Sequence, residues 1–161
     1  MKFCFYPLRR IIIFFVLLIA ASSYADTAEY QLTAPENKTD ITYNKDIYNE
    51  IGTLKITASE AFDKNKKVIV TINYDGKFTN SKNSEQIVNY NLVLGTSDSY
   101  KILIDGDKIE FSAASIDANI GITLGAVITG DAISDGDYKT EINFASVVFP
   151  VRGGGVHIWE I

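Results

Sequence analysis

The sequence predicts an all-β protein: an antiparallel, immunoglobulin-like β-sandwich preceded by a cleavable signal peptide. Three observations predict it. Apolar and polar residues alternate in run after run, and clusters of Gly, Asp, Asn and Ser separate the runs at spacings of about 8–12 residues. No window keeps a 3.6-residue period long enough for a convincing helix; residues 59–65 make at best one short turn. Parallel sheets would need crossovers of a dozen or more residues, and the gaps are too short for them.

The chain starts with residues that belong to export rather than to the fold. Lys2, Arg9 and Arg10 form a positive start, residues 11–20 are an unbroken apolar run, and Ser23-Tyr24-Ala25 places small residues at the two positions a signal peptidase inspects. That order is the signature of a secretory signal peptide, residues 1–25, cleaved between Ala25 and Asp26. An uncleaved anchor is the alternative, but about 11 apolar residues fall short of the ~20 a helix needs to cross a bilayer. A lipoprotein would need a cysteine after the run, and the single cysteine, Cys4, precedes it. Cleavage removes three of 15 basic residues and none of the 20 acidic ones, leaving a mature chain of 136 residues with net charge −8 and no cysteine. Such a domain must be held by core packing and backbone hydrogen bonds alone. Its expected address is the periplasm, the cell surface or the exterior, with no membrane contact after cleavage.

Residues 26–152 are expected to form the sandwich. Residues 26–49 alternate weakly (Tyr30, Leu32, then Ile41, Tyr43) and read as an edge strand or a flexible arm. Val68, Val70, Ile72 and Tyr74 alternate with Ile69, Thr71 and Asn73, and Val88, Tyr90, Leu92 and Leu94 repeat the pattern. Ile102 and Ile104 lead through Asp105-Gly106-Asp107 to Ile109 and Phe111, which reads as a hairpin around an Asp-Gly turn. Ile116, Ala118, Ile120, Ile122 and Leu124 predict one continuous strand, and Tyr138, Thr140, Ile142 and Phe144 another. After Pro150, Gly153-Gly154-Gly155 opens a glycine-rich hinge and tail, residues 153–161, which carries the only His and the only Trp. An apolar segment after such a hinge has to pack somewhere, on its own domain or on another.

The stretch from Asp135 through Gly136, Asp137 and Tyr138 to Phe144 resembles the closing motif of bacterial pilin-like and spore-coat-U-like sandwich domains. In those a Gly-x-Tyr turn introduces a final strand of alternating small polar and apolar residues. Gly136 permits the tight turn, and Tyr138 can lay its ring on the core while its hydroxyl bonds across the corner. Two departures stand beside the resemblance: about seventeen residues follow Phe144, and the disulfide many such subunits carry is absent. The resemblance implies a bacterial fimbrial or surface subunit at the cell surface, one that completes a neighbour's sheet with an extended segment. Tyr30, Leu32 and Ala34 are candidate donor residues, as are Ile41 and Tyr43; the competing reading makes them an ordinary first strand. The tail is a second donor, with Val156, Ile158 and Glu160 alternating with His157, Trp159 and Ile161.

Charge and composition bear on chemistry. A sequence pI near 4.8 argues against nucleic acid, which needs clustered Lys and Arg. One His and one Cys make zinc sites and His-based triads hard to assemble. Asp105, Asp107, Asp131, Asp135 and Asp137 supply oxygen ligands of the kind calcium takes, but their spacing matches no EF-hand loop, and Asp-Gly is ordinary turn chemistry. Paired carboxylates for glycoside hydrolysis need a cleft that a small sandwich rarely offers. His157 has no nucleophile motif near it and reads as a surface residue. No catalytic, cofactor or metal residue is therefore assigned, and the protein is expected not to be an enzyme. Its expected partners are proteins, identical or related subunits among them, with carbohydrate as the alternative. Phe78 and Tyr100 sit beside turn residues, where exposed aromatics can stack on a sugar or anchor a protein.

Overall fold

The computed structural model describes residues 10–19, 29–35, 41–132 and 136–151, the first of these through backbone pairing. In chain order the described strands are β1 (Arg10–Ile19), β2 (Tyr30–Thr33), β3 (Ile41–Thr42), β4 (Tyr48–Ala58), β5 (Lys66–Tyr74), β6 (Lys77–Asn80), β7 (Ile87–Thr96), β8 (Ser99–Ile102) and β9 (Lys108–Ser112). Among the described residues a single short helix, α1 (Ala113–Asp117), precedes β10 (Gly121–Ile128) and β11 (Tyr138–Pro150). The fold is mostly antiparallel sheet, as the alternation predicts.

The strands pair in two groups. In one, β5 lies between β9 and β11, β6 continues along the same edge of β11, and β1 takes the opposite edge with β3 beyond it. In the other, β2, β4, β10 and β7 lie side by side, with β8 on β7. The pairing of β6 with β7 joins the groups. Alternate residues from both fill one core, including Leu54 and Ile56 of β4, Val68, Val70 and Ile72 of β5, Leu92 of β7, Leu124 of β10, and Ile142 and Phe144 of β11. Each fully buried side chain of this kind stabilises the fold by roughly 1.5–3 kcal/mol. Two hydroxyl pairs cross the core between groups: Tyr90 with Thr140 at 3.1 Å and Tyr30 with Ser146 at 3.3 Å.

Three expectations are corrected. The Asp105-Gly106-Asp107 turn is not a hairpin: β8 pairs with β7 and β9 with β5, so the turn carries the chain from one group to the other. Its conformation is set locally by Gly106 at φ +82° and by Asp107, whose carboxylate accepts the Ile104 N–H at 2.9 Å. The Gly106 N–H donates to the Ile72 carbonyl and the Ile72 N–H to the Asp107 carbonyl, which stitches the turn to β5.

The strand expected from Ile116 to Leu124 begins only at Gly121. Ser112 caps α1 instead, its hydroxyl accepting the Ser115 N–H, and Asn119 at φ +61° ends the helical turn. The final strand runs on past Phe144 to Pro150, its backbone held by β5 throughout residues 142–150.

Candidate functional site

The longest strand, β11, presents the surface with the clearest potential for an interaction. It starts at a corner where Gly136 adopts φ +152° and a Cβ would lie 2.7 Å from the Asn80 side-chain nitrogen. The neighbouring Asp137 carbonyl accepts both the Ser81 N–H and the Ser81 hydroxyl, at 2.8 and 2.9 Å. From there Tyr138, Thr140, Ile142, Phe144 and Ser146 face inward and are buried.

Backbone hydrogen bonds in a strand alternate between its two neighbours. The Val151 N–H donates to the Asn65 carbonyl, so odd-numbered residues of β11 turn their N–H and C=O toward β5 and even-numbered residues turn theirs the other way. That other edge pairs with β1, in parallel and in continuous register from Ile11 opposite Tyr138 to Ile19 opposite Ser146. The segment expected to leave as the leader therefore occupies an edge of the final strand.

Beyond Ser146 the same edge is open among the described residues. Val147, Phe149 and Val151 stand there on the outer face, 41%, 44% and 55% exposed, while Val148 packs partly against the core. Ile69 of β5, opposite Val147, extends the apolar stripe. Pro150 has its missing N–H on the open edge, where a proline breaks no ladder bond.

A second surface is aromatic. The Tyr48 ring crosses β10 at Gly125, where a Cβ would come within 2.4 Å of the ring. Its hydroxyl donates to the Gly95 carbonyl on β7 at 2.8 Å, and it stacks with Tyr100 of β8, centroids 5.8 Å apart and planes 29° apart. Burial pushes the Tyr48 phenol above its ordinary value, with Glu50 adding to the shift.

The sequence-predicted residues separate on this frame. Tyr100 is 43% exposed as expected, although it stands on a strand rather than at a loop tip. Phe78, expected at an exposed tip, is fully buried and stacks on Tyr90 with centroids 4.2 Å apart. Its neighbours in sequence are polar, but β6 pairs with β7 and turns Phe78 inward opposite Val88. Tyr30 and Leu32 belong to β2, paired at home with β4, and Leu32 is buried, so the ordinary-first-strand reading fits them in place of the donor reading. Ile158 and Trp159 lie outside the described residues. Tyr48 was not anticipated; the signal for it is Gly125, since a glycine inside a strand marks a close approach.

Of the acidic residues, Asp105 and Asp107 serve their turn and Asp131 forms an ion pair. The Asp105 carboxylate accepts the Tyr74 N–H, Asp107 that of Ile104, and Asp131 pairs with Lys45 at 2.9 Å. Asp135 lies outside the described residues. A shallow cleft beside α1 is lined by Thr57, Ser59, Glu60, Asp117 and Asn119, and the Asp117 carboxylate is engaged by the Phe62 N–H. Among the described residues no three His, Cys, Asp or Glu side chains gather closely enough to hold a metal ion. No protein-family model matches the chain, and no curated protein matches it either.

Proposed function

We propose that this chain is an exported, non-enzymatic assembly protein, a pilin-like or surface-coat subunit of immunoglobulin-like sandwich form that binds neighbours along the edge of β11. The observation that carries the reading is the continuous parallel pairing of β1 with β11. Cleavage after Ala25 would take β1 away and leave β11 with an open edge bordering a buried apolar face. Open edges of this kind accept extended segments from other chains, main-chain hydrogen bonds giving affinity and alternate side-chain sites giving selectivity. The apolar run of residues 11–19 indicates the chemistry of the occupant: an extended, strongly apolar strand. The two groups of strands around one core, linked by the Tyr90–Thr140 and Tyr30–Ser146 pairs, support the sandwich form.

The test compares the chain starting at Asp26 with the full chain by size-exclusion chromatography and light scattering over a dilution series. The shortened chain is expected to self-associate, and the full chain to remain monomeric. Monomers of both at every concentration would refute the reading.

One observation favours a second reading, a carbohydrate-binding module. The stacked Tyr48 and Tyr100 rings offer a partly exposed aromatic face of the kind a pyranose ring packs on. Glycan-array binding that disappears in Tyr100→Ala, with the circular dichroism spectrum unchanged, would support it. Equal binding, or none by the parent chain, would remove its basis.

A further inference from the structure

We propose that, once β1 has left, the vacated edge of β11 takes β11 of a second copy, antiparallel and with a two-fold axis at Ser146. The inference rests on the assembly reading above and names the partner at that edge.

Hydrogen bonding sets the length of the partner. Ile142, Phe144, Ser146 and Val148 turn an N–H and a C=O toward this edge, and Pro150 turns a C=O. In the full chain β1 meets the first three, in a register that ends with Ile19 opposite Ser146. The strands at the outer ends of the two groups, β2, β8 and β9, have four, four and five residues and are too short to match the edge. A second β11 matches it in length. Charge agrees: the chain is acidic overall, yet residues 142–150 carry no charged side chain, so two copies of this stretch can lie side by side without repulsion.

Register follows from β3 and from the side chains. β3 stands beyond β1 at the Tyr138 end, two strand spacings from β11, and buried Ile41 anchors it to the core. In the dimer that second spacing belongs to β5 of the second copy, which starts at Lys66 opposite Pro150. An axis at Ser146 sets this Pro150 against Ile142 and keeps Lys66 clear of β3. An axis at Phe144 would set it against Tyr138 and drive the two together, and an axis at Val148 would carry Ile142 and Phe144 past the end of the second β11.

With the axis at Ser146, Phe144 lies opposite Val148, and Ile142 opposite Pro150, whose missing N–H ends the ladder on each side. On the outer face Ala145 meets Val147 and Asn143 meets Phe149, so each copy covers part of the other's exposed apolar stripe. One sheet then runs from β9 of one copy through both β11 strands to β9 of the other. The contact uses the same edge on both copies, so assembly closes at two.

The described core residues run from Leu32 to Phe144, so the chain starting at Asp26 retains all of them. That chain has no cysteine, and single-cysteine variants therefore report on the interface alone. Ala145→Cys and Val147→Cys are made separately, mixed and oxidised. Across the axis these positions form a non-hydrogen-bonded pair with Cα atoms about 4.5 Å apart, within disulfide reach. Like positions lie diagonally, about 7–8 Å apart, beyond it. The expected product is a dimer joined between positions 145 and 147, from the mixture and from neither variant alone. Light scattering of the chain without added cysteine should level off at two copies. Val148→Pro removes an N–H that faces the second copy and none that faces β5; it should weaken association roughly tenfold or more with the β-type circular dichroism spectrum retained. In the full chain with Cys4→Ser, β1 holds the edge and the same mixture should stay unlinked. No association of the shortened chain, or equal cross-linking in the full chain, would overturn both this inference and the assembly reading. Association without the mixed disulfide, growth beyond two copies, or indifference to Val148→Pro would overturn this inference alone.

Discussion

The Tyr90 ring lies between Phe78 and Tyr74, with centroids at 4.2 and 5.9 Å, and its hydroxyl pairs with Thr140. Burial raises its phenol pKa well above the ordinary value of 10.0, with the Thr140 hydrogen bond opposing the shift. The unfolded chain releases this proton near 10.0 and the folded chain holds it, so Tyr90 contributes nothing to pH dependence below that value. Above it stability falls continuously as pH rises toward the folded-state pKa. Tyr48 and Tyr74 are shifted in the same direction, chiefly by burial, and add to the loss. Urea midpoints are expected to decline above pH 10.0, with a shallower decline in Tyr90→Phe. At neutral pH the same variant should cost about 1 kcal/mol, the usual worth of a lost hydrogen bond. Gly125→Ala tests a different contact. Its Cβ would collide with the Tyr48 ring and pull the hydroxyl from Gly95, for a loss of about 1–3 kcal/mol in urea unfolding. Tyr48→Ala should make the alanine at 125 nearly harmless, because the obstruction is then gone.

Among the elements, α1 depends on its cap more than longer helices do, since five residues build little internal hydrogen bonding. Ser112→Ala is expected to lower stability by about 1 kcal/mol, read as a reduced urea midpoint, and Ser112→Asp to restore most of it. The alternation through Ile116, Ala118 and Ile120 concealed this helix, because a cap and one turn outweigh a short period-two pattern. By contrast, β5, β7 and the first half of β11 were legible, each having one face of consistently apolar residues. The partnering of strands was not. Asp105-Gly106-Asp107 has hairpin chemistry, and only the long-range pairing of β9 with β5 makes it a connection between groups. Phe78 failed for a related reason: polar neighbours in sequence say nothing about the face that β7 imposes on β6. Of the candidate surfaces, the sequence located Tyr100 but not Tyr48, whose position depends on two glycines on other strands.

At the scale of the whole molecule, β11 is the strand on which both groups converge: β5 and β6 pair with one of its edges, and Tyr30 and Tyr90 reach its inner face from the other group. Its two edges should therefore differ in what they lose when the first 25 residues are absent. Asn143, Ala145 and Val147 direct their N–H groups at β5, while Ile142, Phe144 and Ser146 direct theirs at β1. In the chain starting at Asp26, amide hydrogen exchange is expected to accelerate at the second set and to stay slow at the first. A general loosening of the domain would speed both sets together, and a chain that never used β1 would show no change at either. Self-association of the shortened chain should then restore protection at Ile142, Phe144 and Ser146 as concentration rises, because only a strand laid on that edge can supply their missing acceptors. Association through the Tyr48–Tyr100 face would leave those three amides fast, so one exchange experiment separates the two surfaces.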